Sequence, residues 1–387
     1  MTSTDTRPPA VILGFNIHGL AIARALADHG IDVHALTPYG RMAANATRFA
    51  NVHHRPALNS DDFATSLVEF SDVYLQGRSA VLLPTNDKMV SAIAINWSVL
   101  ADRYLLSWSN NIDLIMQLRS KDTLTAYCTR VNINHPVSTI VTGRGDFDEL
   151  LFREGLPLIV KPTEPLSSFK AIIVNSVADL ERLVLKYEAD LPFVIQQYID
   201  GDSSSLYFCA VYLDRGREVC SFTGQKLYAI PRSTGQGTVM TDDDNLEILE
   251  LTRQFLNGLD ISGPVAIEFK KDALGNYWLI EPNVGRTEYC VDLLIQSGLN
   301  MPLIEYLTVC GESITPESLS AMKLVTWYDT EKDPFCYLRH CLAEKRLFPL
   351  GKTPIFPYFG HRDLKPFCGA LRLQSEAILK RLMPRRR

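Results

Sequence analysis

Two glutamates and an asparagine lie at the ends of apolar, strand-like runs in the segment 265–286. Glu268 follows Val-Ala-Ile, and Glu281 and Asn283 close the run Tyr-Trp-Leu-Ile-Glu-Pro-Asn. The residues 272–276 between the runs include Asp, Gly and Asn, which favour a turn, so the segment is predicted to form a β-hairpin. Carboxylate and amide oxygens are ligands that Mg²⁺ and Mn²⁺ prefer, so the hairpin could hold such an ion.

The position of these acids favours a metal site over a simple surface role. Side chains two residues apart on a strand share a face, so Glu281 and Asn283 are expected to point the same way. Acids also protect exposed sheet edges, which is the simpler alternative. The apolar flanks predict burial instead, and a buried carboxylate without a partner is costly. We therefore predict that Glu268, Glu281 and Asn283 bind a divalent metal ion.

Two further signals precede the hairpin along the chain. Lys161 ends the apolar run Leu-Pro-Leu-Ile-Val and is followed by a proline, which cannot continue a central strand. Residues 192–199 form a predicted strand that Asp200-Gly201 stops. In this order, the strand-end lysine, the polar strand end and the acid hairpin resemble the ATP-grasp superfamily. Within it, the chain is most similar to carboxylate–amine ligases of the D-aspartate ligase and carbamoyl-phosphate-synthase-like type, over about residues 10–310.

The resemblance implies that the protein binds ATP. Lys121 and Lys161 match the two phosphate-binding lysines of the superfamily, and residues 196–199 match the hinge whose backbone pairs with adenine. The loop 163–170 matches the segment that covers the phosphates, which is usually rich in glycine and has no glycine here. The residues so assigned to the nucleotide are Lys121, Lys161, Ser167, Ser168, Lys170, Gln196, Gln197, Tyr198, Ile199, Asp202 and Ser203.

Three cationic residues match positions near the transferred phosphoryl group, and the resemblance implies a catalytic role for them. Lys226 and Arg232 lie in the cationic segment of the superfamily, and Arg286 matches the arginine that follows the metal-binding asparagine. Arg286 is displaced by one position, because the sequence reads Glu-Pro-Asn-Val-Gly-Arg where the commonest motif reads Glu-Ile-Asn-Pro-Arg, and this puts its reach in question. An exposed surface role is the alternative for all three residues.

The activity implied by the resemblance is a ligase reaction that uses ATP with Mg²⁺ or Mn²⁺. ATP phosphorylates a carboxylate, and an amine then displaces phosphate to form an amide, with an amino acid or a sugar acid as the expected carboxylate. Two alternatives stay open. A nucleotide-binding regulatory protein without turnover would fit the glycine-free loop. An NAD(P)-dependent oxidoreductase would need the Gly-x-Gly-x-x-Gly fingerprint, but the turn 14–19 reads Gly-Phe-Asn-Ile-His-Gly.

The elements that would position these residues alternate between strands and helices. Apolar runs at 9–14, 31–36 and 80–84 predict an N-terminal doubly wound α/β domain with a parallel sheet. A two-lobed ATP-grasp domain, which mixes α/β and α+β structure, is expected to follow. The predicted domains are residues 1–118 (pre-ATP-grasp), 119–192 (lobe A), 193–310 (lobe B, with the nucleotide and metal site) and 311–387 (C-terminal extension).

Two polar residues follow the strand at 80–84. Asn86 and Asp87 are of types that begin a helix, so they are predicted to cap the helix 89–100. The carboxyl ends of parallel strands are also where α/β sheets bind ligands, so a role at the edge of the site stays open for both residues. The turn 14–19 is expected to supply part of the carboxylate or amine pocket.

Composition narrows the classes of protein and partner. The 387 residues carry a net charge of −5, which gives no general signature of nucleic-acid binding. No apolar stretch reaches the roughly 20 residues that cross a bilayer, and the first residues lack the apolar core of a secretory signal, so we expect a cytoplasmic protein. The 8 cysteines contain no Cys-x-x-Cys pair and are expected to be reduced thiols. Small-molecule carboxylate and amine substrates are the expected partners, and a homodimer stays open.

Overall fold

The computed structural model describes residues 7–143, 154–163, 171–232, 235–314, 323–346 and 351–382, together with residues 151 and 169. The side chains of residues 121, 122 and 377–382 lie outside this description. The sheets match the predicted fold class, because a parallel sheet is followed by two sheets whose strands are mainly antiparallel.

The N-terminal unit is a five-stranded sheet in which every neighbouring pair is parallel, in the order β3-β2-β1-β4-β5. Its strands are β1 (Ala10–Leu13), β2 (Val33–Thr37), β3 (Asn51–His54), β4 (Ala80–Pro84) and β5 (Tyr104–Leu105). Its helices are α1 (Ile17–Ala27), α2 (Phe63–Phe70), α3 (Asp87–Leu100) and α4 (Ile112–Arg119). The doubly wound topology predicted from the apolar runs is confirmed.

Side-chain caps fix where two of these helices begin. Asn16 accepts a hydrogen bond from the backbone N–H of His18 at 2.9 Å, and Asn86 accepts one from Met89 at 3.0 Å. Such caps satisfy donors that have no partner within the helix. The predicted capping role is confirmed for Asn86, whereas Asp87 is the first residue of α3 and not its cap. Both asparagine caps lie at the carboxyl edge of the parallel sheet.

The middle of the chain forms a four-stranded antiparallel sheet in the order β6-β9-β7-β8. Its strands are β6 (Ser138–Val141), β7 (Leu158–Pro162), β8 (Ile172–Val174) and β9 (Phe193–Gln197), with helices α5 (Lys121–Arg130) and α6 (Val177–Lys186). The sheet packs on a small core of its own, which includes Leu158, Leu180 and Phe193. The predicted boundary at residue 192 thus falls immediately before a strand of this sheet, since β9 pairs with β6 and β7.

The third sheet has seven strands in the order β14-β13-β10-β11-β12-β15-β16, and only its last pair is parallel. Its strands are β10 (Leu206–Asp214), β11 (Arg217–Ile230), β12 (Gln236–Asp242), β13 (Gly263–Lys271), β14 (Tyr277–Val284), β15 (Val325–Tyr328) and β16 (Thr353–Ile355). The helices of this part are α7 (Leu246–Leu256), α8 (Val291–Ser297), α9 (Met301–Val309), α10 (Cys336–Ala343) and α11 (Lys365–Leu382).

Two large cores join the seven-stranded sheet to the N-terminal unit. One packs α1 against α8, α9 and one face of the sheet, with Leu20, Ile304 and Trp327 among its members. The other packs α3 and α4 against the opposite face, with Ile93 and Phe269 among its members. Burial of apolar surface on both faces holds the sheet against the N-terminal unit.

Residues 357–363 pack against the N-terminal unit through a partly buried arginine. Arg24 in α1 donates to the backbone oxygen of Pro357 at 2.6 Å and to the carboxylate of Asp363 at 3.0 Å. All eight cysteines are free thiols, as expected. Within the residues described, no helix is both long enough and apolar enough to span a bilayer.

Candidate active site

The acid hairpin consists of β13 and β14, and it places Glu268 directly opposite Glu281. The register shifts immediately beyond this pair, because Phe269 pairs with Leu279 and residue 280 bulges out of the ladder. A bulge adds one residue to one strand, so the side chains that follow it change face. Glu281 and Asn283 therefore leave the buried face that Leu279 occupies.

The exposure of the acids differs from the prediction. Glu281 is exposed, Asn283 is half-buried, and the Glu268 side chain is 23% exposed. The prediction of burial is wrong for Glu281, because the bulge and the position of β14 at the sheet edge turn it toward solvent. The three predicted metal ligands nevertheless lie on adjacent strands within two residues of one another.

A buried lysine neutralises the first acid of the hairpin. Lys226 of β11 donates to Glu268 at 2.9 Å, and its side chain is only 10% exposed. Burial alone would lower the pKa of Lys226, but the carboxylates of Glu268, Glu288 and Glu281 outweigh burial and raise it. Lys226 is therefore a charged ammonium group held beside the hairpin acids, as its predicted role requires.

The displaced arginine reaches the site because a glycine precedes it. Gly285 has a φ of 80°, a left-handed conformation that side chains rarely adopt. The turn brings the Arg286 guanidinium back to Asn283 Oδ1 at 2.7 Å. The same guanidinium donates to the Asp87 carboxylate at 2.8 Å. The extra residue in the motif thus does not remove Arg286 from the predicted metal-binding asparagine.

Asp87 links the N-terminal unit to the segment that follows the hairpin. Its carboxylate accepts from Arg286 and, at 3.1 Å, from Arg119. Burial alone would raise the pKa of Asp87, but the positive charges and hydrogen bonds of Arg286 and Arg119 have the larger effect and lower it. Sequence reasoning missed Arg119, since its contact depends on the packing of α4 beside α3.

The turn 14–19 also reaches this region through His18. Its Nδ1 lies 3.0 Å from the Thr85 backbone oxygen, and its Nε2 lies 2.8 Å from Thr287 Oγ1. Burial and the nearby Arg286 charge lower the pKa of His18 to about 3, so the ring is neutral at physiological pH. A dinucleotide would place its pyrophosphate at the N-terminus of α1, but the side chain of Asn16 already accepts a hydrogen bond from a backbone N–H there.

The predicted nucleotide residues of β7 and β9 come together. Lys161 Nζ donates to Gln196 Oε1 at 3.0 Å, and Gln196 is buried. The Gln197 backbone N–H donates to the Val137 oxygen at 2.8 Å, which anchors the end of β9. Ile199, at the end of the predicted hinge, is buried as well.

A lysine that sequence reasoning missed faces the predicted hinge. Lys270 lies two residues beyond Glu268 on β13, and its ammonium lies 4.7 Å from the centre of the Tyr198 ring. Burial lowers the pKa of Lys270. The sequence did contain a signal for Lys270, because it lies two residues after Glu268 and residues two apart on a strand share a face.

Of the residues predicted to contact the ribose or to act in catalysis, only some lie close to the hairpin. Ser203 is buried, and its hydroxyl donates to the Leu227 oxygen at 3.2 Å. Arg232 is 79% exposed and pairs with Asp202 at 3.0 Å, while Lys226 pairs with the hairpin. The structure therefore does not bring Arg232 to the Glu268 pair. The predicted residues Ser167, Ser168 and Lys170 lie outside the described residues, as does the side chain of Lys121.

The hairpin offers oxygen ligands of the kind that Mg²⁺ prefers, but fewer than a full coordination shell needs. Nowhere in the described ranges do three His, Cys, Asp or Glu side chains form a metal-binding group. The predicted set has two carboxylates and the amide oxygen of Asn283, with Glu268 and Asn283 already bonded to Lys226 and Arg286. The donor chemistry fits Mg²⁺ if further ligands come from the phosphates of a nucleotide and from water.

Comparisons with known proteins show what the sequence and the fold of this chain are similar to. No family model matches the sequence. A curated relative, the multifunctional protein pyr1-3 of Dictyostelium discoideum, is 24% identical over 217 residues, which are 53% of this chain. The chain spans only 10% of the length of that relative.

Solved structures are similar over most of the chain. N5-carboxyaminoimidazole synthetase from Staphylococcus aureus, complexed with ADP, has a TM-score of 0.67 at 16% identity and 87% coverage of both chains. L-amino acid ligase from Bacillus licheniformis has a TM-score of 0.60 at 16% identity, with 84% of this chain and 80% of that chain covered. Biotin carboxylase from Campylobacter jejuni, with β-γ-ATP, has a TM-score of 0.64 at 13% identity, with 83% and 75% covered.

The chain therefore has the ATP-grasp fold, with an N-terminal α/β unit ahead of the grasp. At these identities the likeness shows the fold alone, and the chemistry of the site has to be argued from its residues.

Proposed function

We propose that this protein is an ATP-dependent carboxylate–amine ligase. The observation that carries the proposal is the cross-strand pair Glu268 and Glu281, with Asn283 beside it and with Lys226 and Arg286 bonded to its members. Alternating acids and cations of this kind suit the transfer of a charged phosphoryl group, which needs positioning and electrostatic stabilisation more than a side-chain nucleophile.

The nucleotide is proposed to lie between the four-stranded and seven-stranded sheets. Lys161 and Gln196 come from the first sheet, and Lys270 and Glu268 come from the second. Lys161 would contact phosphate oxygens, and Gln196 would contact the base. Mg²⁺, held by Glu268, Glu281 and Asn283, would neutralise phosphate charge and hold the phosphates in place.

The proposed reaction has two transfers. The substrate carboxylate attacks the terminal phosphorus of ATP, and ADP leaves with the electrons of the broken P–O bond. The nitrogen of the neutral amine then attacks the acyl phosphate carbon. The C–O bond to the phosphate breaks, and inorganic phosphate leaves with the bonding electrons and takes up the proton that the nitrogen loses as the amide forms. Lys226 and Arg286 are fixed charges positioned to stabilise the negative oxygens of both steps. An amino acid or a sugar acid is the proposed carboxylate.

Phosphate release from ATP tests this proposal directly. The full chain with Mg²⁺ would be screened against pairs of a carboxylate and an amine, with wild type, Glu281→Gln and Glu247→Gln compared. Glu247 is the matched control, because it is an exposed glutamate at the start of α7. We expect release that needs both substrates, is unchanged in Glu247→Gln and falls at least 100-fold in Glu281→Gln.

Two outcomes would contradict the ligase proposal. ATP binding without phosphate release for any pair would favour the regulatory alternative. Binding of ATP that is independent of Mg²⁺ and unchanged in Glu281→Gln would mean that the hairpin is not the metal site. Binding would be measured by titration calorimetry, so that loss of turnover is separated from loss of nucleotide.

A further inference from the structure

A second group of acids lies at the end of β15, away from the hairpin. We call residues 329–333 the acidic turn. Asp329 is buried, and its Oδ2 accepts a hydrogen bond from the Tyr289 hydroxyl at 2.9 Å. Glu331 accepts one from the Tyr358 hydroxyl at 2.6 Å. Burial raises the pKa of both carboxyl groups.

The acidic turn carries more negative than positive charge. Lys332 is its one lysine, and the ammonium lies 4.6 Å from the centre of the Tyr289 ring. Asp333 pairs with Arg339 of α10, and the charge of Lys332 acts against burial on the pKa of both Asp329 and Glu331. Asp329 Oδ1 also accepts from the backbone N–H groups of Glu331 and Lys332, so its three hydrogen bonds come from uncharged donors. A cationic ligand would add positive charge beside the two carboxylates.

Two buried polar atoms on β12 and β15, the strands beside the acidic turn, lack hydrogen-bond partners among the described residues: Trp327 Nε1 and Thr238 Oγ1. Thr238 stands across the ladder from Asp329, whose backbone N–H donates to the Thr238 oxygen at 2.8 Å. Trp327 lies two residues before Asp329, and its ring packs edge-on against Tyr289 at 5.8 Å between centres. An unpaired buried donor costs free energy unless a ligand or water satisfies it.

This group shares a sheet face with the proposed active site. Trp327 pairs with Met240, and Met240 pairs with Lys226, so the three side chains lie on one face of neighbouring strands. Two strand spacings separate Trp327 from Lys226, or roughly 10 Å. Tyr289 also follows Glu288 in sequence, and Glu288 lies within the electrostatic reach of Lys226 and Arg286.

We propose that the acidic turn, Tyr289, Trp327 and Thr238 bind the amine substrate, and that this substrate is an amino acid. Its ammonium group would pair with Asp329 and Glu331, and one of these carboxylates would accept the proton that the nitrogen must lose before it attacks the acyl phosphate. Its carboxylate would accept from Trp327 Nε1 and the Thr238 hydroxyl. Neither a simple amine nor a simple acid would satisfy both sets of groups. This inference rests on the proposed ligase function, because it assigns the second substrate of that reaction.

Equilibrium binding tests the assignment without turnover. The twenty common L-amino acids would be titrated into the full chain with Mg²⁺ and a non-hydrolysable ATP analogue. For each amino acid that binds, the carboxylic acid lacking the amino group and the amine lacking the carboxylate would be titrated too. We expect at least one amino acid to bind, and both of its analogues to bind at least tenfold more weakly.

Variants show whether these residues form the binding site. Asp329→Asn and Trp327→Phe should each weaken amino-acid binding at least tenfold and leave binding of the ATP analogue unchanged. Glu344→Gln is the control, since Glu344 is an exposed acid of the same part of the chain, bonded to His340. Melting temperatures of all variants would identify any loss caused by misfolding, in which case Tyr289→Phe, which removes only a hydroxyl, replaces the failed variant.

Several results would overturn the inference. They are the absence of binding by every amino acid, equal binding of the analogue without an amino group, and unchanged binding in Asp329→Asn. Phosphate release that needs an amine other than an amino acid would overturn this inference alone. Amino-acid binding at this site without phosphate release would overturn the ligase proposal and leave the binding site standing.

Discussion

The hairpin and the acidic turn hold their carboxylates in different ways. At the hairpin and its neighbour α3, Glu268 and Asp87 are bonded to Lys226 and Arg286. In the acidic turn, Asp329 accepts from the Tyr289 hydroxyl and from two backbone N–H groups, and Glu331 accepts from the Tyr358 hydroxyl. Ion pairs hold charge in a fixed place, which suits repeated phosphoryl chemistry. Hydroxyl partners leave charge uncompensated, which suits the binding of a cation.

Removing the lysine of the hairpin should give the largest effect. Lys226→Met would leave Glu268 without its cation beside Glu288 and Glu281. We expect phosphate release to fall by about 100- to 1,000-fold, since a fixed donor to the transferring group is lost. We also expect the free energy of unfolding to fall by about 2–4 kcal/mol, because breaking a buried pair strands a charge. Urea unfolding and phosphate release measure the two effects.

Two further variants show whether the pair itself is the cause. Lys365→Met removes an exposed lysine at the start of α11 and should change neither quantity. The double variant Lys226→Met with Glu268→Gln should recover part of the stability but none of the activity. A double variant no more stable than Lys226→Met would mean that the ion pair is not what holds this region together.

Glu305 of α9 is a third kind of carboxyl group, since its hydrogen-bond partner among the described residues is one serine hydroxyl. It is buried, and Ser107 donates to it at 2.6 Å. Burial raises the pKa of Glu305 from 4.5 to about 7. A raised pKa means that the folded state holds a proton which the unfolded state has lost, so stability falls as pH rises from about 4.5 to about 7.

Glu305→Gln should therefore become more stable than the wild type as pH rises. The gain should be small at pH near 4.5 and reach about 3 kcal/mol at pH 8 at most, because one pKa unit corresponds to about 1.4 kcal/mol. Urea unfolding of both proteins across this range measures the difference. Glu247→Gln, an exposed control, should show no such trend. A difference between Glu305→Gln and wild type that does not vary with pH would contradict the assignment.

The fold was largely readable from local patterns, because local patterns determine most of its elements. Apolar runs located β1 and β4, and polar residues before helices located the caps. Asn86 caps its helix as predicted, and Ser176 and Asn245, which are residues of types that favour this position, cap two further helices. The hairpin was also predicted correctly, since turn residues between two apolar runs are a short-range signal.

The contacts of the site could not be read in the same way. The pairing of Lys226 with Glu268 depends on the register of β11, β10 and β13, and the two residues lie 42 positions apart in the sequence. The exposure of Glu281 depends on a one-residue bulge that leaves no clear mark in the sequence. The acidic turn follows a strand of only four residues, and its partners Tyr289 and Tyr358 come from distant segments. Long-range packing decides all of these contacts.

The glycine before Arg286 offers a smaller test of the hairpin. Gly285→Ala forces a side chain into a left-handed φ, and its Cβ would lie 3.1 Å from Val90 Cγ1. The backbone strain alone is about 1–2 kcal/mol. Gly258→Ala is the matched control, because Gly258 has a φ of 78° but no atom within 4 Å of the added Cβ.

Urea unfolding of the two glycine variants separates strain from packing. We expect both to lose stability, and Gly285→Ala to lose about 1 kcal/mol more because its neighbours must move. It should also slow phosphate release at least tenfold, since Arg286 would no longer hold Asn283. Equal activity in the two variants would mean that the position of Arg286 does not matter to the reaction.

Replacing Glu331 should have the smallest effect on stability and is the sharpest test of the contrast between the two groups of acids. Glu331→Gln keeps an acceptor for the Tyr358 hydroxyl and removes a charge whose pKa burial has raised. We expect the free energy of unfolding at pH 7 to change by less than about 1 kcal/mol, and in the stabilising direction. Tyr358→Phe, which leaves the carboxylate without its donor, should instead cost about 1–2 kcal/mol.

Urea unfolding of Glu331→Gln and wild type at pH 5 and pH 8 shows whether the difference in their free energies of unfolding rises or falls with pH. Because burial raises the pKa of Glu331, the wild type should lose stability as pH rises, and Glu331→Gln should become more stable relative to it. An ion-paired acid would give the opposite trend, since its lowered pKa makes the charged form stabilising. A loss of stability in Glu331→Gln as large as that in Lys226→Met would mean that the acidic turn holds its charge as the hairpin does. Its negative charge would then have a structural role and would not be kept for a cationic ligand.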